Sequence, residues 1–173
     1  MIDVYLVRHA IAEDRDPARW RDDSRRPLTE EGAASFRRAA RGLQRIVPTV
    51  DRVLSSPYPR AWQTAEILRD EAGWPAPEPR DQLAAPSSPD AALELLRDEG
   101  ANTSVALVGH EPNLSSFASL LLTGNETALQ VELKKGGVIA LDWAADPDSS
   151  AALLRWIASP KILRALDAGP GQS

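Results

Sequence analysis

The sequence predicts an α/β protein, specifically a three-layer α/β/α sandwich with a mostly parallel central sheet. Short apolar runs alternate along the chain with longer segments of helical periodicity, which is the pattern of strands connected by helices. No internal repeat and no linker divides the 173 residues, a length sufficient for one substantial core. We therefore expect one domain over residues 1–166 and a flexible C-terminal tail over residues 167–173.

The first half of the chain contains two predicted strand–helix units. Their strands and helices are expected at residues 2–7, 30–46, 52–55 and 59–72. Thr29 is a suitable N-cap for the first helix, whose apolar residues recur at steps of four, three and four. Gly73 is a natural end for the second helix. The first strand and the first helix are joined by a loop, residues 11–27, with five acids and five arginines.

The second half of the chain begins less regularly. Residues 74–89 contain five prolines and predict an irregular surface connection. After it we expect a helix, a strand, a helix with Pro112 in its first turn, and two closing strands, at residues 90–98, 104–108, 112–122, 138–143 and 153–157.

Composition and charge exclude several functional classes. The formal net charge is −5 and the chain has no basic block, so nucleic acid is not expected as a partner. No run of about 20 apolar residues exists, so we expect no membrane partner either. Asp3 interrupts the first apolar run and no basic segment precedes it, which favours the cytoplasm over secretion. The lack of cysteine excludes thiolate nucleophiles and thiolate metal sites.

Chemically unusual residues follow three of the predicted strands. Arg8 and His9 end the first strand, Arg60 lies in the first turn of the helix after the second, and His110 follows the strand at 104–108. In open α/β sheets, ligands bind beyond the carboxyl ends of the strands, so we expect these four side chains to converge. Two arginine forks, two imidazoles and nearby helix N-termini favour a dianion such as phosphate.

His9 is the candidate nucleophile of this site, because a neutral imidazole nitrogen can attack phosphorus. The attack would form a phosphohistidine enzyme intermediate that water then hydrolyses, with catalysis coming mainly from positioning and charge neutralisation. The other ring nitrogen of His9 needs an acceptor that fixes the tautomer, and we expect a backbone carbonyl in that place.

Three segments resemble the signatures of a known family. VRHA at 7–10, SSPYPRAWQTA at 55–65 and VGHEPNL at 108–114 are similar to the three ordered motifs of the histidine phosphatase superfamily. Within that superfamily the chain resembles the small SixA-type phosphohistidine phosphatases. Its length, RPLTEEG at 26–32 and SPKIL at 159–163 support this narrower resemblance.

The resemblance implies a phosphoglycerate mutase-like fold and a role for each of the four residues. His9 is implied as the nucleophile, and Arg8 and Arg60 as the arginines that clamp the phosphate. His110 is implied as the second histidine, which binds the transferring phosphoryl group and stabilises the transition state. Members of the family typically need no metal or other cofactor, and two histidines about 100 residues apart are a poor metal motif.

Two departures from the family pattern are visible. Ala10 stands where the family usually has glycine, and we expect its β-carbon to narrow the floor of the pocket. Mutases and ester phosphatases of the family usually supply a carboxylic acid shortly after a leucine, whereas here Ala84 and Ala85 follow Leu83. An alkoxide leaving group benefits from a general acid, but the imidazole released from phosphohistidine is a much better leaving group. The missing acid therefore favours P–N over P–O substrates.

Three nearby acids could replace the missing one. Glu13, Asp14 and Asp81 are candidates, although solvated loop charges are the more common role for such residues. The surrounding loop, residues 15–26, either contacts a partner through Trp20 and its neighbouring arginines or packs the tryptophan inward as a flexible charged loop; the sequence favours neither.

The sequence thus predicts a metal-independent phosphatase that removes phosphate from phosphohistidine on a protein, releasing inorganic phosphate. The expected partner is a phosphotransfer domain or a phosphocarrier protein. One alternative is a broad-specificity small-molecule phosphomonoesterase of the same superfamily. An alternative of another class is a non-catalytic phosphoprotein-binding module, against which the presence of all four residues argues.

Overall fold

The computed structural model describes residues 1–144 and 152–168, and its centre is a six-stranded sheet. The strands, in chain order, are β1 Ile2–Arg8, β2 Arg52–Ser55, β3 Glu78–Pro79, β4 Ser104–Gly109, β5 Val138–Trp143 and β6 Leu153–Ala158. The helices are α1 Glu30–Gln44, α2 Pro59–Ala72, α3 Pro89–Arg97, α4 Asn113–Thr123 and α5 Pro160–Asp167. Two short 3-10 helices cover Asp23–Arg25 and Asp81–Leu83.

The sheet order is β3-β2-β4-β1-β5-β6. β1 and β2 are both parallel to β4, and β3 is parallel to β2. β5 is antiparallel to both of its neighbours, β1 and β6. Within the described residues β5 alone runs against the others, so the predicted mostly parallel sheet is confirmed. β4 lies between β1 and β2 and brings the ends of these three strands to one edge.

Helices cover both faces of the sheet. The alternation of side chains along each strand produces two separate apolar clusters: Val7, Val53 and Ala106 face one side, and Leu6 and Leu107 the other. The first cluster contains α1, α2 and α5, and the second contains α3 and α4. This is the predicted three-layer α/β/α sandwich.

The helix ends follow the capping signals of the sequence. The Thr29 hydroxyl accepts a hydrogen bond from the Gly32 N–H at 2.9 Å and caps α1. Gly73 ends α2 with a φ of 70°, a left-handed conformation that glycine adopts without strain. Pro112 precedes α4 as its N-cap, so the helix begins one residue later than predicted.

Two elements differ from the sequence prediction. The connection at 74–89 is not wholly irregular, because β3 pairs with β2 at the edge of the sheet. The C-terminal segment forms α5, which packs on α1 so closely that a β-carbon on Gly42 would lie 1.8 Å from the Leu163 carbonyl oxygen. Asp167, expected in the flexible tail, is the last residue of α5 and forms an ion pair with Arg41 at 3.1 Å. Residues 169–173 of that predicted tail lie outside the described residues.

No helix in the described ranges has the length and apolarity needed to cross a membrane.

Candidate active site

The four residues singled out in the sequence meet at one edge of the sheet. His9 directly follows β1, His110 directly follows β4, and Arg60 lies in the first turn of α2 after β2. The His9 N–H donates to the Gly109 carbonyl at 3.0 Å, which extends the pairing of β1 and β4 to the two histidines. The centroids of the two imidazole rings are 5.2 Å apart.

A cavity of about 350 Å³ lies over these residues. Its floor is buried, with exposed fractions of 6% for His9, 2% for Arg60 and 3% for His110. The side chains that line it are mostly charged, and five of them are cationic. The lining consists of Arg8, His9, Glu13, Asp14, Arg15, Arg26, Arg60, Ala85, His110, Glu111 and Lys135.

His9 is held in one tautomer by the backbone of the next residue. Its Nδ1 lies 2.7 Å from the carbonyl oxygen of Ala10, so Nδ1 carries the proton and Nε2 keeps its lone pair. Burial lowers the pKa of His9 to about 4, and the charges of Arg60 and Arg8 act in the same direction. The ring is therefore neutral near pH 7, with an acceptor that is a backbone carbonyl as expected.

His110 is also neutral, but its hydrogen bonds differ. Its Nε2 lies 2.8 Å from the hydroxyl of Ser56, while its Nδ1 is buried without a partner in the described part of the chain. Burial lowers the pKa of His110 to about 3, and the neighbouring His9 and Arg60 lower it further.

Arg8 and Arg60 are each anchored through terminal nitrogens of the guanidinium group. Arg8 Nη1 donates to the Leu133 carbonyl at 2.7 Å, and Arg60 Nη1 donates to the Asp23 carbonyl at 2.8 Å. The Nε of each arginine is buried and has no partner among the described residues. Buried donors are rarely left unpaired, so these two Nε–H groups are suited to an anionic ligand.

Asp23 and Arg26 form part of the site and were not identified from the sequence. The Asp23 carboxylate accepts from Arg26 Nε at 3.0 Å and from Arg60 Nη2 at 3.3 Å. Burial acts to raise the pKa of Asp23, but the hydrogen bond with Arg26 and the charges of Arg26 and Arg60 outweigh it and lower the pKa. A possible signal existed for Arg26, which begins the RPLTEEG segment. None existed for Asp23, one of five acids in its loop.

The expectation for Ala10 was wrong. Ala10 does not line the cavity; it is buried in the apolar cluster between the sheet and helices α1 and α2. Its N–H donates to Thr64 Oγ1 at 3.0 Å, and the Thr64 hydroxyl donates to the Arg60 carbonyl at 2.7 Å. The β-carbon thus contributes to packing, and the backbone of Ala10 joins the His9 segment to α2.

Three acidic side chains line the cavity, and they are not the same three that the sequence suggested. Glu13 and Asp14 line the cavity, and Asp81 does not. Glu111 also lines it, although nothing in the sequence beyond its place in VGHEPNL singled it out. Burial raises the pKa of Glu111, despite a 2.5 Å hydrogen bond that its carboxylate accepts from the Ser115 hydroxyl. Ala85 lines the cavity at the position where an acid was expected in ester-cleaving relatives.

The described residues contain no group of three or more histidine, cysteine, aspartate or glutamate side chains placed to hold a metal ion.

Comparison with known proteins places this geometry in a family. A family model for branch 1 of the histidine phosphatase superfamily matches residues 4–84. An uncharacterised protein of Picosynechococcus sp. (strain PCC 7002) is 36% identical over 142 residues, which cover 81% of this chain and 84% of that protein.

Solved structures agree with the family match. The protein histidine phosphatase SixA, solved with tungstate, has a TM-score of 0.77 and 26% identity, over 92% of this chain and 97% of SixA. A mycobacterial glucosyl-3-phosphoglycerate phosphatase shares the fold, with a TM-score of 0.64 and 22% identity over 91% of this chain and 99% of that protein. The two histidines and two arginines, the α/β/α sandwich and these similarities lead to one assignment: the chain belongs to the histidine phosphatase superfamily.

Proposed function

We propose that this phosphatase hydrolyses phosphohistidine on a partner protein, through a covalent intermediate on His9. The observation that carries the proposal is the fixed tautomer of His9, whose Nδ1–H bonds the Ala10 carbonyl and leaves Nε2 as a neutral nucleophile. In the first step Nε2 bonds to phosphorus, the P–N bond to the substrate imidazole breaks, and that imidazole takes a proton from solvent. In the second step water attacks phosphorus, and His9 is regenerated as inorganic phosphate leaves.

The buried donors have complementary roles in this reaction. Arg8 and Arg60 line the cavity and would neutralise the phosphoryl oxygens, and each keeps a buried Nε–H that has no partner among the described residues. His110 would donate from Nδ1 to the transferring group. Donors that are fixed before the reaction stabilise developing charge without reorganisation, which is the largest contribution to catalysis in many enzymes.

The choice of a P–N substrate rests on the leaving group. Ala85 lines the cavity where ester phosphatases of the family supply an acid, so the region after Leu83 offers no proton to an alkoxide. A substrate imidazole leaves without such help. Similarity to SixA, itself a protein histidine phosphatase, supports the same choice.

A protein substrate is supported by the rim of the cavity. Asp14, Arg15 and Lys135 are exposed there, above the buried histidines. In the adjoining loop Arg19 stacks over the ring of Trp20, with 5.3 Å from its guanidinium carbon to the ring centroid. Exposed charges at the rim and a partly exposed aromatic ring in the adjoining loop suit contact with a macromolecule, such as a phosphotransfer domain or a phosphocarrier protein.

One observation favours a second candidate, a small-molecule phosphomonoesterase. Glu111 lines the cavity, and burial raises its pKa, as is typical of a carboxyl group that acts as a general acid. The fold shared with a glucosyl-3-phosphoglycerate phosphatase is compatible with this candidate. The Glu111 carboxylate, however, already accepts hydrogen bonds from both the hydroxyl and the N–H of Ser115, which reduces the freedom of Glu111 to protonate a leaving group.

A substrate panel separates the two candidates. The values of kcat/KM are compared for a phosphohistidine-bearing phosphotransfer domain, phosphoramidate, an aryl phosphate and a sugar phosphate. We expect the phosphoprotein to be the best substrate, and Glu111→Gln to leave its turnover within about threefold of the parent, as should the control Glu126→Gln, an exposed residue that does not line the cavity. Efficient turnover of the sugar phosphate that Glu111→Gln abolishes would overturn the proposal in favour of the esterase.

The covalent step is tested with ³²P-labelled phosphoramidate in rapid-quench experiments. We expect an acid-labile, base-stable label on the protein that is absent in His9→Ala, together with unchanged turnover after treatment with a chelator. A His9→Ala variant that hydrolyses substrate at the parent rate would remove His9 as the nucleophile. A parent that binds phosphoprotein and turns over no substrate of the panel would instead be a binding module.

A further inference from the structure

The position of the single proton on neutral His110 decides what this residue can do. A neutral imidazole has one N–H donor and one acceptor nitrogen. If the proton lies on Nε2, the buried Nδ1 presents a lone pair to the oxygens of a phosphoryl group and repels them. If it lies on Nδ1, the same nitrogen donates a hydrogen bond to them. The side chain of one buried residue contacts the other ring nitrogen of His110, Nε2.

That residue is Ser56, whose side chain is fully buried behind the His110 ring. Ser56 does not line the cavity, so it reaches the phosphoryl group only through His110. Its hydroxyl oxygen lies 2.8 Å from His110 Nε2 and accepts a hydrogen bond from the Tyr58 N–H at 3.3 Å. Ser56 is positioned by its own backbone N–H, which donates to the Val108 carbonyl at 2.9 Å in line with the pairing of β2 and β4.

Counting donors and acceptors favours one arrangement. The Tyr58 N–H already donates to the Ser56 oxygen, so the one hydroxyl proton of Ser56 is free to donate to His110 Nε2. Nδ1 then carries the ring proton, and this N–H, which has no partner among the described residues, is left to donate to a ligand. In the opposite arrangement the buried hydroxyl proton of Ser56 and the lone pair of Nδ1 would both lack partners, which buried polar groups rarely do.

We propose that Ser56 is a positioning residue that holds His110 in its Nδ1–H tautomer, and thereby converts it into a donor to the transferring phosphoryl group. The proposal rests on the proposed phosphatase function for its meaning, but the tautomer itself can be measured without turnover. A serine is well suited to this position, because its hydroxyl can rotate to accept from Nε2 if the ring becomes doubly protonated when a dianion binds.

Long-range ¹H–¹⁵N NMR of the imidazole rings tests the tautomer directly. The chain has two histidines, so the spectrum contains two ring systems. In phosphate-free buffer near pH 7 we expect both in the Nδ1–H form. In Ser56→Ala we expect His110 to shift towards the Nε2–H form that free imidazole side chains prefer in water, while His9 stays unchanged as an internal reference.

Ser55→Ala is the matched control. Ser55 is equally buried, but its hydroxyl donates to the Ser56 carbonyl at 3.0 Å and does not contact a histidine. We expect this variant to keep both tautomers and the parent kcat. Urea unfolding of both variants establishes that the spectra and rates are measured on folded protein.

Kinetics on phosphoramidate complete the test. Removing an oxyanion donor outright typically costs about 10²–10³-fold in kcat. Ser56→Ala leaves a fraction of molecules in the competent tautomer, so we expect kcat to fall by roughly tenfold to a hundredfold with a smaller change in KM. In a His110→Ala background, Ser56→Ala should cause no further loss.

The outcomes distinguish the inference from the proposed function. An Nε2–H form of His110 in the parent, an unchanged tautomer in Ser56→Ala, or a full additional loss in the His110→Ala background would each overturn the role of Ser56. If no substrate is turned over by the parent, the proposed function fails, while the NMR comparison still decides whether Ser56 sets the tautomer.

Discussion

The two buried histidines make the stability of this protein depend on pH in a predictable direction. Burial lowers the pKa of His9 to about 4 and of His110 to about 3, from an ordinary value of 6.5. The unfolded chain, in which both rings are hydrated, therefore binds more protons than the folded chain at mildly acidic pH. The free energy of unfolding must then decrease as the pH falls below about 6.5.

The magnitude follows from the linkage relation. Each ring titrates near its ordinary pKa in the unfolded chain and stays neutral in the folded chain. Each therefore lowers the free energy of unfolding by about 2 kcal/mol as the pH falls from about 8 to about 5. His9 and His110 are only 6% and 3% exposed, so solvent screening hardly reduces this effect on the free energy of unfolding. Together they remove about 4 kcal/mol, a large part of the roughly 5–15 kcal/mol that stabilises a typical domain.

Urea unfolding curves at several pH values measure this loss. The buffers must lack phosphate and other tetrahedral anions, because an anion bound beside the rings would raise their pKa. His9→Gln and His110→Gln should each reduce the pH dependence by about half. Glu111 acts in the opposite direction, since burial raises its pKa, and a Glu111→Gln background removes that contribution. A flat parent profile between about pH 8 and pH 5, or a steep one that survives in the double histidine variant, would refute the reasoning.

Three further predictions concern other parts of the molecule. Arg60→Ala should lower kcat/KM for phosphoramidate by about 10²–10³-fold in steady-state assays, and Arg60→Lys should recover little because a lysine lacks the planar fork. Gly42→Ala should lower the urea midpoint, at a cost of about 1–3 kcal/mol, because its β-carbon meets the Leu163 carbonyl, while kcat stays unchanged. Thr64→Val should cost about 1–3 kcal/mol by leaving the buried Ala10 N–H unpaired, and it should also lower kcat because His9 is the preceding residue. An unaltered kcat in Arg60→Ala or Thr64→Val, or an unaltered midpoint in Gly42→Ala, would contradict the corresponding contact.

Elements with strong local signals were predictable from the sequence. The helix at α2 combines a proline in its first turn with Gly73 just past its end, and its bounds match the prediction. β5 was equally predictable from the apolar run VIAL at its start. β3 was not, because it pairs through two residues at a sheet edge and has no periodicity of its own. α5 was missed although Ser159 caps it and Pro160 begins it, since eight residues give a short pattern.

The convergence of the site was predictable where sheet geometry determines it. Arg8 is the last residue of β1, and His9 and His110 directly follow the adjacent parallel strands β1 and β4, so their meeting required only the correct strand order. Asp23 and Arg26 depend instead on how a charged loop of irregular backbone folds over the strand ends, and composition cannot distinguish one acid of that loop from another.

The position of β4 in the sheet determines when the sheet can form during synthesis of the chain. β4 is synthesised after β1 and β2 but is inserted between them, and Asp3 pairs with Ser104 across roughly a hundred residues of chain. A nascent chain that ends before β4 carries the candidate nucleophile and both arginines, yet has no scaffold on which to align them. We therefore expect a chain that ends before β4, and so also lacks His110, to be inert towards substrate and to expose unpaired strand edges to proteases and chaperones.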